Sequence, residues 1–205
     1  MAKVSKYQEG AFVGISHLFF IIGGFGDNFT TKVGNVDKVV KELPVAQDGG
    51  FTYNGGSPSI DHYKVHGIAG DWTSRMTPGE TEINLFIPTV DKEVLTACGF
   101  QSVSDVDPSD IGADNVVADA DDYKFTPSKG YTFAETQKAF SVGIAAINDE
   151  GNQMFAIKKV KLMASILFDS ADTAKPIGIT LTGSNAASSA ADAMGIFDGA
   201  AAPVE

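Results

Sequence analysis

Arginine is almost missing from this chain. Of 15 basic residues in 205, only Arg75 is an arginine, and 26 acidic residues bring the net charge to −11. Proteins that read nucleic-acid sequence rely on arginine forks and a positive surface, so that class is excluded. A binder of anionic membranes is excluded on the same ground. Cysteine is equally scarce. Cys98 stands alone, so no intrachain disulfide can form, and folding in a reducing cytoplasm is the simpler expectation. Long apolar runs are missing too. The uncharged stretch from Ala11 to Gly26 is too short to span a bilayer. Lys3 and Lys6 precede it as they would in a signal peptide, but Glu9, His17 and the lack of an A-x-A-like site do not fit that pattern. A buried strand near the N-terminus is expected instead.

Catalytic signatures are also lacking. Gly23-Gly24-Phe25-Gly26 and Gly49-Gly50 match neither G-x-x-x-x-G-K-[ST] nor G-x-G-x-x-G, and read as turns. No G-x-S-x-G elbow accompanies Ser16-His17. His62 and His66 are four apart beside Asp61, but Tyr63 stands where H-E-x-x-H needs its glutamate, and no third ligand is spaced to join them. The expectation is a protein that is not an enzyme and that carries no cofactor.

What is present is strand periodicity. Ile83, Leu85 and Ile87 alternate with Glu82 and Asn84, the pattern of a half-buried strand. Phe140, Val142 and Ile144 alternate in the same way, as do Ile177, Ile179 and Leu181. Between them, Asn148-Asp149-Glu150-Gly151-Asn152 is dense in turn formers and is flanked by strand-like runs at 139–147 and 153–160. This predicts a hairpin, and residues 138–181 read as an antiparallel meander. One helix is predicted over Asp91–Cys98, with Thr89 as N-cap, acidic residues in its first turn and Gly99 as its stop. The fold class expected is mainly β: an antiparallel sandwich or barrel with one short flanking helix and long loops. The domain is read as residues 1–182, with an Ala/Gly/Ser-rich tail at 183–205 that holds either a short helix at Ser188–Met194 or disorder. Residues 23–35 and 46–59 are read as Gly-rich loops.

Residues 101–127 form an Asp-rich insertion with little apolar surface to bury. Asp105, Asp107 and Asp110 begin like a calcium loop, but lack its sixth-position glycine and distal glutamate. They are weak metal candidates beside the reading of a solvated acidic loop. In the locally basic and apolar segment 158–168, Leu162, Ala164, Ile166 and Phe168 line one face while Met163 and Leu167 line the other. Residues 11–22 share this two-sided character. Strands apolar on both faces are covered on both, either by the chain's own loops or by a neighbouring subunit. Leu18, Phe20, Ile22, Met163 and Leu167 are therefore subunit-interface candidates.

The order of an alternating strand at 81–87, a short helix at 91–98, an insertion, a hairpin, the strand 159–166 and the closing run 176–183 resembles the major tail tube proteins of tailed bacteriophages. The resemblance covers roughly residues 81–183 and is one of pattern and element order. It implies a β-sandwich or barrel whose copies form rings, expected to be hexameric, with neighbouring sheets joined into an inner barrel. The rings would stack into a tube around a tape-measure protein, closed by a tail-terminator protein, in a virion assembled in the host cytoplasm. DNA would pass without specific binding, which an acidic, Arg-poor wall permits. Two other readings stay open. One is a monomeric β-sandwich module binding carbohydrate or calcium through the Asp-rich insertion. The other is a decoration or connector protein of the virion.

Overall fold

The computed structural model describes residues 12, 14–33, 36–46, 50–67, 69–106, 130–134, 138–168, 177–186 and 193–199. Their architecture is mainly β, as expected. The strands are β1 (His17–Ile22), β2 (Lys32–Val33), β3 (Val36–Asp37), β4 (Val40–Leu43), β5 (Phe51–Asn54), β6 (Ser59–Tyr63), β7 (Thr73–Thr77), β8 (Glu82–Ile87), β9 (Ser104–Val106), β10 (Gly130–Thr132), β11 (Phe140–Ile147), β12 (Gln153–Leu167), β13 (Gly178–Asn185) and β14 (Met194–Asp198). The helix α1 is Lys92–Ala97. Eight strands form one antiparallel sheet in the order β4-β1-β11-β12-β13-β8-β5, with β14 also paired to β12.

The predicted hairpin is β11 and β12, and its turn is organised by one side chain. Asn148 is almost fully buried. Its Oδ1 accepts from the Asn152 and Gln153 backbone N–H groups at 3.1 and 3.0 Å, and its amide donates to Asn152 Oδ1 at 2.7 Å. Ser16 Oγ donates to the Asn148 carbonyl at 2.8 Å, tying the turn to the start of β1. The helix begins one residue later than predicted, and its N-cap lies two residues later. Asp91, not Thr89, is its N-cap, because the Asp91 carboxylate accepts from the Glu93 N–H at 2.9 Å.

β12 is fifteen residues long and serves two neighbours on one edge. Residues 153–157 pair with β14, and residues 160–167 pair with β13. The changeover falls at a bulge. On the opposite edge Val142 faces Val160 and Ile144 faces Ile157, so Gly143 is opposed by both Lys158 and Lys159. At this corner the Lys158 N–H donates to the Ala193 carbonyl and the Lys158 carbonyl accepts from the Phe25 N–H, both at 2.8 Å. The sheet curls here around one core. Leu43 of β4 and Phe51 of β5, at the two ends of the strand order, pack into the same cluster as Leu18, Phe20, Ile144, Ile157, Leu162, Leu181 and Ile83. α1 adds Leu95 to it.

The two-sided character of β1 has an answer within the chain. Leu18 and Phe20 are fully buried in the main core, so they are corrected from interface candidates to core residues. On the outer face Ile21 and Phe19 pack with Ala145, Ala156, Phe25 and Phe29 in a second cluster. The segment following β1 folds back over the sheet to supply those two rings. Phe29 also meets Phe197 of β14 edge-on at 5.1 Å. Gly143 permits this docking, since a Cβ there would sit 2.6 Å from the Phe25 ring.

The tail at 183–205 also departs from expectation. β13 continues to Asn185, and β14 adds a strand to the sheet, so residues 194–198 belong to the domain. The helix expected at 188–194 lies outside the described residues except at its last two positions, where Ala193 is a bend and Met194 is strand. Similarly, β5 forms inside the segment 46–59 that was read as loop.

Replacing Asn148 with alanine is expected to leave two backbone donors of the turn without acceptors, at a cost of about 1–3 kcal/mol. Urea unfolding of Asn148→Ala against the parent chain measures this directly.

Candidate functional site

The acidic candidates do not converge. Asp105 lies on β9 and its carboxylate is taken by Lys92 Nζ of α1. Asp107 and Asp110 lie outside the described residues. β9 pairs with β10, so residues 104–106 and 130–132 form a three-residue ribbon. Above it, the Tyr131 hydroxyl donates to the Val90 carbonyl. Burial, with the Asp91 charge nearby, raises the Tyr131 pKa. His62 Nδ1 pairs with Asp71, and among the described residues no three His, Cys, Asp or Glu side chains gather as a metal site. Among them, too, no helix is long and apolar enough to cross a membrane.

Of the remaining interface candidates, Ile22 is 39% exposed, Met163 51% and Leu167 half-buried. Met163 shares its face of the sheet with Lys161, Ser165, Thr180 and Thr182, so that face is mostly polar.

One exposed apolar feature among the described residues is not foreseen from the sequence. β6 and β7 form a separate two-stranded ribbon in which all ten residues are exposed. Ile60 lies opposite Met76 and His62 opposite Ser74, so these four share one side, while Trp72 stands one residue before β7, outside its alternation. Trp72, whose N–H donates to the Tyr63 carbonyl at 2.7 Å, is 65% exposed and Met76 is 72% exposed. The opposite side carries Asp61 across from Arg75. The ribbon is therefore an arm with exposed apolar side chains, and none of its residues belongs to either core cluster. Its neck is made by Gly56 and Gly79, whose backbones touch. A Cβ on Gly79 would lie 2.5 Å from the Gly56 carbonyl carbon, and Gly56 sits at φ +75°.

A second feature lies where the two edges of the curled sheet approach. A cleft of about 490 Å³ is lined by Phe12, Ile15, Val45, Phe51, Phe155 and Ile196, among others. Its walls come from the segment before β1, the β4–β5 connection and the turn ends of β12 and β14. Its lining is apolar. Asp149 overlies its Gly14 floor, and neither His nor Cys borders it.

Scanned against protein-family models the chain matches none, and a search of curated proteins finds no significant match.

Cys98 closes α1 inside the core, and burial pushes its thiol up to about 12 from 9.0. A thiol reagent is expected to label it only on unfolding. The thiol stays protonated in the fold while the unfolded chain ionises from about pH 9, so the unfolded state is favoured as pH rises from there towards the folded value. Urea midpoints across that window are expected to fall, and to fall less in Cys98→Ala.

Proposed function

We propose that this protein is a structural subunit that self-associates into rings, stacked as the tube of a bacteriophage tail. The observation that carries the reading is the free-standing arm of β6 and β7. A lone two-stranded ribbon is marginal in water, and this one, with Trp72 just before it, leaves Ile60, Trp72 and Met76 exposed among the described residues. Such a surface marks a contact with another molecule. In a chain whose main core is already closed, a neighbour of the same kind is the simplest cover.

The element order adds support. The succession of β8, α1, the Asp-rich insertion, β11, β12 and β13 matches the order on which the resemblance to tail tube proteins rests. An acidic surface with one arginine is compatible with a conduit that DNA passes without being held. In this reading the partners are other copies of the chain, a tape-measure protein during assembly and a terminator at the tube end.

Purified full-length protein is expected to form rings or tubes under negative-stain electron microscopy as its concentration rises. Particles that stay monomeric through millimolar concentration, in low and high salt alike, would overturn the reading.

A further inference from the structure

Asn54–Gly55 is the only Asn-Gly step in the chain, and it stands at the base of the arm. Asn54 ends β5, and Gly56, two residues on, forms the neck with Gly79. We propose that Asn54–Gly55 is a self-modification site, at which the Gly55 amide nitrogen attacks the Asn54 side chain and converts it to aspartate and isoaspartate. Water is the only co-reactant, and the step does not depend on self-association.

In that step the Gly55 nitrogen gives up its proton and bonds to Asn54 Cγ. The Cγ–Nδ2 bond breaks, and ammonia leaves with the proton. Water then opens the succinimide ring. Opening at the side-chain carbonyl gives aspartate. Opening at the main-chain carbonyl gives isoaspartate, whose backbone runs through the side chain. Asparagine is a thermolabile residue, but a fold protects it where the following N–H is held in a hydrogen bond or the approach is blocked.

Three observations put Asn54 outside that protection. The first is the attacking nitrogen. β5 is the end strand of the sheet and pairs with β8 alone. The Phe86 N–H donates to the Gly50 carbonyl at 2.9 Å, one step before the Phe51–Leu85 pair. Ladder bonds alternate along an antiparallel pair, so the even-numbered residues of β5 bond to β8 and the Gly55 N–H turns to the open edge. Among the described residues nothing accepts from it. The second is the electrophile. Asn54 Oδ1 accepts from the Gly56 N–H at 3.0 Å. This Asx turn folds the side-chain amide over the residues that follow, and the bond draws electron density away from Cγ. The third is room. Asn54 and Gly55 are exposed, and a Cβ at residue 55 would meet nothing nearer than the Tyr53 ring at 4.0 Å. The other Asx-Gly step among the described residues is held on both sides. At Asp198–Gly199 the Gly199 N–H donates to the Asn152 carbonyl at 2.8 Å, and the Asp198 carboxylate accepts from Gln153 Nε2 at 3.0 Å.

The conversion acts on the arm. Asn54 lies opposite Glu82, whose carboxylate accepts from Asn84 Nδ2 at 2.9 Å. An aspartate at position 54 sets like charges across the pair, which is destabilising. Isoaspartate also lengthens the backbone just before a neck without slack, where Gly56 and Gly79 touch. The chain enters β6 through this neck, so the arm loosens as the residue converts.

The test is to age full-length protein at neutral and at mildly alkaline pH and follow it by peptide mass spectrometry. Residue 54 is expected to gain the mass difference between amide and acid, as two separable products. The gain is expected to be faster at the higher pH, because the attacking nitrogen must lose its proton. Isoaspartate at position 198 is expected only after unfolding. A Cβ at residue 55 crowds the attacking nitrogen, so Gly55→Ala is expected to slow the conversion by about tenfold or more at unchanged melting temperature. Hydrogen exchange at residues 59–63 and 73–77 is expected to quicken in the aged protein and to stay slow in the aged Gly55→Ala variant. A residue 54 that keeps its amide in the folded protein, while it converts in the urea-unfolded chain, would overturn the site. Conversion of Asn148 or Asn152 ahead of Asn54 would overturn it as well. Conversion with unchanged exchange in β6 and β7 would support the site and overturn its effect on the arm.

Discussion

A strand of fifteen residues extends about 50 Å at roughly 3.3 Å per residue, too long to lie straight in a domain of this size. The fold depends on bending β12. The extra residue at Lys158–Lys159 does so, and it does so where the strand changes partner from β14 to β13. The corner leaves backbone groups out of the regular ladder, and each is satisfied from outside it: the Lys158 N–H by Ala193, its carbonyl by Phe25, and the Lys159 carbonyl by the Ala186 N–H at 2.9 Å. The bend thus fixes three distant segments at once. It also curls the sheet so that its end strands share one core, which leaves the cleft between them.

Because the core is closed by the chain itself, the sheet's own apolar faces are not what remains for recognition. Phe25 and Phe29 cover the outer face of β1, and the outer face around Met163 is largely polar. Among the described residues, the arm and the cleft stay exposed and apolar. Both lie at turns and strand ends of the curled sheet, the places where loops on a rigid frame usually carry function.

The sequence was most legible where local and global signals agree. The Asn148–Asn152 turn could be read because five turn formers separate two period-two runs, and strands β8, β11 and β13 fell within a few residues of their expected bounds. β14 could not be read. Met194–Asp198 sits in Ala/Gly-rich chain, and its strand character comes from the β12 edge it joins. The two faces of β1 could be read, but the sequence left open whether the chain's own loops or a neighbouring subunit covers them, because Phe25 and Phe29 lie in a Gly-rich segment whose docking is a tertiary event. The arm escaped notice for the opposite reason: Ile60 and Met76 meet across a ribbon with no core behind it. The cleft is assembled from separate stretches of chain that no single window contains.

The β9–β10 ribbon has an electrostatic consequence. It brings residues 106 and 130 side by side, with Asp105 held by Lys92 of α1. The 23 residues between them in sequence carry six aspartates and two lysines, a net −4 of the molecule's −11. More than a third of the excess negative charge is therefore strung between one pair of neighbouring strand ends, where salt weakens the Lys92–Asp105 ion pair by screening it over a Debye length of about 8–10 Å.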